Sequence, residues 1–183
     1  IGTIFNHLCN GGKIEPRDIA LAGLHAENKF FGKPSGLMDQ MTSAVGGIVT
    51  IDFANPSVPV VRRVRADFAP AKLSLVVTNT GSHADLTGEY ASVQREMQSV
   101  ARAMGVEHLR ETSVERLYDE MPRLRSKVGD RAILRALHFF GDNDRVAAQV
   151  EALESGDIAR FLEFVNESGR SSWMLLQNCY VPG

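Results

Sequence analysis

The chain has little from which to build a covalent or metal-held framework. Its two cysteines, Cys9 and Cys179, stand far apart, with no CxxC and no Cys/His spacing. A disulfide scaffold or zinc site therefore finds no support, and a reducing cytoplasm is the expected setting. No apolar stretch approaches the roughly 20 residues that a membrane span needs, and no signal-peptide pattern opens the sequence. Charge of one sign is not accumulated. The 20 Lys and Arg against 22 Asp and Glu leave a net charge of −2, which removes the electrostatic case for nucleic acid or an acidic membrane surface. Neither a GxxxxGK[ST] nor a GxGxxG motif is present, so no Gly-rich phosphate cradle is legible.

What is present describes an ordinary globular chain. An apolar share of 44% and a charged share of 23% suit a packed core under a solvated surface, and 183 residues suit one domain, or one and a part. The sequence opens at Ile1 without a methionine, with Ile1, Ile4, Phe5 and Leu8 already at helical spacing, and closes on Tyr180-Val-Pro-Gly183. Both ends read as cuts through a longer protein.

Residues 1–9 read as an amphipathic helix closed by Asn10-Gly11-Gly12, because glycine just past a helix end supplies the left-handed conformation needed there. Pro16 opens a second helix near its first position, where its missing N–H costs nothing. Ile19, Leu21, Ala22, Leu24 and Ala26 are its expected buried side. A helix over 38–44 ends at Gly46-Gly47. The alternating, β-branched run 48–53 reads as a strand. Asn55-Pro56 marks a turn, and 58–64 reads as a second strand with arginines on a solvated face. Residues 73–79 read as a third, central strand, and three strands with short turns suggest an antiparallel meander. A polar loop, 80–85, follows. The remainder is helical: 87–104, stopped by Gly105; a helix begun by Ser113 and broken at Pro122; a long one over 130–153 that Gly141-Asp-Asn-Asp144 is expected to kink or split; and a last one from Gly156-Asp157, interrupted at Ser168-Gly-Arg-Ser-Ser172. The fold class is α+β in two layers, antiparallel strands plus a mainly helical C-terminal half, with the division between 1–79 and 80–183.

The stretch with the most chemistry is Ala26-Glu-Asn-Lys-Phe-Phe-Gly-Lys-Pro-Ser-Gly-Leu-Met-Asp39-Gln40. Glu27 and Asp39 flank a turn of Gly32, Pro34, Ser35 and Gly36, between two helices. Ser35 is placed to cap the second helix. Gly36 lets backbone approach a ligand with no side chain in the way. Asp39 falls at the end of the first turn, where the positive end of the helix dipole favours a carboxylate. Such a carboxylate beside free amides can hold and deprotonate a hydroxyl; a helix-starting charge on an ordinary cap has the same spacing.

This stretch, followed by Gly47-Ile-Val-Thr-Ile-Asp-Phe53, resembles the central region of the galactokinases, members of the GHMP family of small-molecule kinases. The resemblance is long and ungapped. It implies ATP-dependent phosphorylation of galactose at its C1 hydroxyl on a GHMP-kinase-like fold, with Mg²⁺ as the nucleotide's ion. Asp39 of Met-Asp-Gln would face the anomeric hydroxyl as general base or electrostatic guide. Glu27 of Ala-Glu-Asn would be a ligand of Mg²⁺, direct or through water, in keeping with that ion's hard oxygen ligands. Gly36 would contact the sugar through its backbone, and Tyr90 of Gly88-Glu-Tyr90 would hydrogen-bond it. The family's Ser-rich phosphate loop would precede Ile1 and its second Gly-rich motif would follow Gly183. Both then belong to remaining parts of the same polypeptide, and the 183-residue piece alone is expected to be inactive.

The plainer roles stay open. Glu27 at a helix end is commonly a solvated charge, and Tyr90 on a helical stripe is commonly core. His83, in the loop after the third strand, tempts as a base but is ordinary for a polar loop. Asp85 departs from the small or apolar residue the family carries there. Gly169 stands where the family usually has His, and the following Trp-Met-Leu-Leu-Gln-Asn also departs. These departures leave a kinase for a related sugar, or a non-catalytic galactose sensor on the same scaffold, as alternatives.

Overall fold

The computed structural model describes residues 1–32, 35–55, 57–79, 81 and 87–180. It divides into two compact units, Ile1–Ala66 and Asp67–Gly183. The first unit begins with helix α1, Gly2–Asn10, which Gly11 ends in the left-handed conformation at φ 60°. Buried Asn6 then ties down the following loop: its Nδ2 donates to the Ile14 carbonyl at 3.0 Å and its Oδ1 accepts from the Ile14 amide at 3.1 Å. Helix α2, Pro16–His25, starts with proline at its first position, as its sequence predicts. The buried side is shifted from expectation. Ala20 is its buried residue, while Leu21 and Ala22 are exposed. The reason is packing: α2 lies against helix α3, Met38–Val45, through the face that carries Ala20 and Gly23, and Met41 fills the α3 side at 1% exposure.

Two strands complete this unit. Strand β1, Val49–Asp52, pairs antiparallel with β2, Val60–Arg63, in the register Val49↔Arg63 to Asp52↔Val60. Guanidiniums fasten the hairpin to its surroundings. Arg63 Nη2 donates to the Val45 carbonyl and Arg17 Nη2 to the Ser57 carbonyl, each at 2.6 Å.

The second unit is helical: α4, Thr87–Ala103; α5, Val114–Asp119; α6, Met121–Val128; α7, Asp130–Ser155; and α8, Ile158–Ser171. Val100, Met104, Leu109, Leu117, Leu124, Ile133 and Ala136 form its core. Ser113 caps α5 by accepting from the Arg116 amide, and Asp157 caps α8 by accepting from the Arg160 amide. Both caps replace an amide partner that the first turn lacks.

Three sequence expectations are corrected. Residues 73–79 form no strand. Leu75, Val76 and Val77 are 94%, 79% and 87% exposed, and no described strand lies beside them to pair their backbone, which a β-strand requires. The meander is therefore a two-stranded hairpin among the described residues. Helix α7 runs its 26 residues without a break at Gly141. Helix α8 continues through Ser168 and Gly169 to Ser171. A polar network joins α7 to α8 beside these two positions. His138 Nδ1 lies 2.9 Å from Ser171 Oγ, and its Nε2 lies 3.1 Å from Asp142 Oδ2. Asp142 also accepts from Arg145 Nε at 2.7 Å and Ser168 Oγ at 3.2 Å. The polar side chains of Asp142, Ser168 and Ser171 are thus satisfied by other side chains and do not compete for the helical backbone bonds. Among the described residues the fold is α+β, mostly helical with one antiparallel hairpin.

Candidate active site

The chain leaves α2 through a widened π-type turn, Ala26–Phe30, closed by the Phe31 amide on the Ala26 carbonyl at 3.2 Å. Such a turn carries one residue more than an α-turn and so re-aims the side chains on it. Here it places Glu27 and Asn28 toward the segment that leads into α3. Asn28 Oδ1 accepts from the Ser35 amide at 2.8 Å, and Asn28 Nδ2 donates to the Ser35 carbonyl at 3.3 Å. Glu27 takes the other bonds of this crossing. Its Oε2 accepts from Ser35 Oγ at 2.6 Å and its Oε1 from Gln40 Nε2 at 2.9 Å.

Ser35 is therefore not the cap of α3. That position falls to Leu37, with no side-chain cap, because the Ser35 hydroxyl is committed to Glu27. Asp39 sits in the first turn of α3, as its sequence predicts. Its side chain is exposed, and no hydrogen bond or ion pair to the described residues engages it. A Cβ built on Gly36 would meet nothing within 4 Å, so the backbone there is open to a ligand. Glu27, Gly36 and Asp39 thus share one crossing of α2, the turn and α3. Sequence reasoning missed Asn28 and Gln40. An Asn ahead of a Gly/Pro/Ser turn is the one available signal, since its side chain readily bonds turn backbone; nothing marks Gln40.

Tyr90 lies in the second unit, near the start of α4, at 66% exposure, so it is not a core residue of that unit. It lines a crevice with Glu89, Val93, Arg135, Gln177 and Tyr180. Arg135 is 1% exposed beneath it. Its guanidinium donates to the Leu176 carbonyl and Ser92 Oγ at 3.0 Å and pairs with Glu96 at 3.0 Å. Trp173 is exposed and rests against the Tyr180 ring at 5.5 Å between centroids. His83 and Asp85 lie outside the described residues.

No three His, Cys, Asp or Glu side chains cluster among the described residues as a metal cage. A kinase Mg²⁺ needs none, since it takes one or two carboxylates and completes its shell with phosphate and water. The Glu27 carboxylate beside the Ser35 hydroxyl is an all-oxygen donor set of that kind, so the residues present fit the ion.

Known proteins with this sequence pattern point one way. A galactokinase of Mannheimia succiniciproducens is 34% identical over 155 residues, 82% of this chain. One of Actinobacillus pleuropneumoniae is 35% identical over 147 residues, 78% of the chain, and one of Homo sapiens is 33% identical over 174 residues, 92% of the chain. The chain covers 38%, 36% and 42% of these relatives' own lengths, about two fifths. No protein-family model matches it. The chain belongs to the galactokinase family. Among the described residues no helix is long and apolar enough to cross a membrane.

Proposed function

We propose that this chain is the sugar- and metal-facing part of a cytoplasmic sugar kinase, whose full-length polypeptide moves the γ-phosphoryl group of ATP to the C1 hydroxyl of galactose. The observation that carries this reading is the crossing at residues 26–40. One carboxylate, Glu27, accepts there from Ser35 and Gln40, and a second, Asp39, stands exposed in the first turn of α3 beside open backbone at Gly36. Phosphoryl transfer asks chiefly for positioning and charge neutralisation. Asp39 orients the anomeric hydroxyl and accepts its proton. Glu27 holds Mg²⁺, directly or through water, and the ion neutralises charge on the nucleotide phosphates when bound. Gly36 offers backbone to the sugar, and the Tyr90 phenol bonds one of its hydroxyls. Residues 1–79 then close the N-terminal domain of a GHMP-kinase-like fold, and residues 80–183 belong to its mainly helical C-terminal domain. The phosphate cradle comes from other parts of the polypeptide, so the 183-residue chain alone does not turn over.

The test is Asp39→Asn in the full-length polypeptide. Loss of a positioned base lowers kcat by about 10²–10⁴-fold, with ATP affinity little changed. Near-normal turnover rejects the role. Gly169, standing where the family usually has His, favours as second reading a kinase for a galactosamine or galacturonate relative. A substrate panel on the same polypeptide decides between the sugars, and galactose binding without any turnover identifies a sensor instead.

A further inference from the structure

We infer that Gln40 is a positioning residue for the Glu27 carboxylate, holding it at the angle from which it meets the nucleotide's divalent cation; this rests on the reading of Glu27 given above. The two residues are 13 positions apart and join through Gln40 Nε2 and Glu27 Oε1 at 2.9 Å. Ser35 Oγ takes the other carboxylate oxygen at 2.6 Å. With one donor on each oxygen, the plane of the Glu27 carboxylate is fixed.

Two further observations show that the Gln40 amide is committed to this contact. Its Oε1 is buried and finds no hydrogen-bond partner. The amide gains nothing by reversing, because that would set Oε1 against Glu27 Oε1, two acceptors face to face. An unpaired buried acceptor is a standing cost, and here it accompanies the donor's hold on Glu27. The stem of Gln40 is also confined. A Cβ built on Gly23 of α2 would lie 3.4 Å from Gln40 Cγ, so α2 backs the side chain that reaches back to the turn. Gln40 directly follows Asp39 in α3, so one helical turn carries the sugar-facing carboxylate and sets the metal-facing one. Outer contacts of this kind orient metal ligands, and their loss typically costs 10–100-fold in affinity or activity.

The experiment measures Mg²⁺-ATP and galactose binding separately, by calorimetry, on the full-length polypeptide and its Gln40→Met, Glu27→Gln and double variants. Gln40→Met keeps length and removes the donor. It is expected to weaken Mg²⁺-ATP by about tenfold, to leave galactose affinity within about twofold, and to show a turnover loss that excess Mg²⁺, but not excess galactose, restores. The double variant should bind Mg²⁺-ATP no worse than Glu27→Gln, because a residue acting through another is non-additive with it. If Gln40→Met does not fold, Gln40→Asn, which withdraws the amide by one methylene, must show the same selective loss. Unchanged Mg²⁺-ATP affinity in the Gln40 variants beside a loss in Glu27→Gln overturns the inference and leaves Glu27 as metal ligand. Full additivity in the double variant overturns it as well. Unchanged affinity in Glu27→Gln overturns the metal role itself, and the inference with it.

Discussion

Asn28 and Ser35 exchange two hydrogen bonds across the turn between α2 and α3: the Ser35 amide to Asn28 Oδ1 at 2.8 Å, and Asn28 Nδ2 to the Ser35 carbonyl at 3.3 Å. An amide side chain thereby stands in for a backbone partner and fixes where the turn re-enters the fold. Asn28→Ala removes both bonds without touching Glu27 or Asp39. Each bond contributes on the order of 1 kcal/mol, so the full-length variant should lose up to about 2 kcal/mol of stability. Galactose affinity should fall with it, because Gly36 follows directly on the freed segment. Faster amide exchange at Ser35 and Gly36 with unchanged exchange along α2 is the expected signature. Uniform exchange changes across the unit would show a general loss of packing instead.

The sequence carried more of the elements than of their partners. Pro16, Gly11, Gly46, Ser113 and Asp157 act at short range, and each bounds a helix where local rules place it. The run 73–79 has the composition of a strand, yet forms none, because strand formation needs a neighbour that composition does not contain. Gly141 and Ser168 look like breaks for the same reason in reverse. Their helices are held together by His138, Asp142 and Ser171, whose meeting depends on α7 packing on α8. At the site, Asp39 and Gly36 were legible because turn and helix start are local. The pairing of Glu27 with Ser35 and Gln40 was not, because it depends on the extra residue in the π-type turn at Ala26–Phe30.

Glu96 accounts for the buried cation of the second unit. It pairs with Arg135 at 3.0 Å, its two oxygens accept from Arg131 Nε at 3.0 and 3.2 Å, and its Oε1 also accepts from Arg131 Nη2 at 2.5 Å. Arg135 is 1% exposed while Glu96 is 23% exposed at its side chain. Removing the carboxylate charge strands a desolvated guanidinium, which costs more than the pair contributes when intact. Glu96→Gln should therefore destabilise the protein by about 3 kcal/mol, the lower end of the range for breaking such pairs, because Glu96 retains some water. Arg131→Gln, which leaves Arg135 paired, should cost well under half as much. Thermal midpoints of the two variants make the comparison, and equal losses would show that the burial of Arg135 is not what matters.

His138 supplies a pH dependence of definite sign. Burial pushes its pKa below the usual histidine value, with Asp142 opposing the shift and Arg145 adding to it. The bonding pattern agrees. A carboxylate at Nε2 requires the proton there, which leaves Nδ1 to accept from the Ser171 hydroxyl. A second proton, on Nδ1, would make the Ser171 oxygen turn from donor to acceptor. The groups facing the ring from α7 are Asp142 and, through it, Arg145; from α8 they are Ser171 and, through Asp142, Ser168. A folded-state pKa below the unfolded one means that neutral His138 stabilises the fold. That contribution is fully present above about pH 6.5, the unfolded value, and is lost as pH falls from there through the folded value. The thermal midpoint of the full-length protein should therefore drop by a few degrees from about pH 7.5 to 5.5 on this account. His138→Gln, which keeps one donor and one acceptor but cannot take up a proton, should start lower and fall less over the same interval. A parallel fall in the two proteins would assign the acid sensitivity to other groups, and an imidazole resonance titrating at or above the ordinary histidine range would contradict the depressed pKa directly.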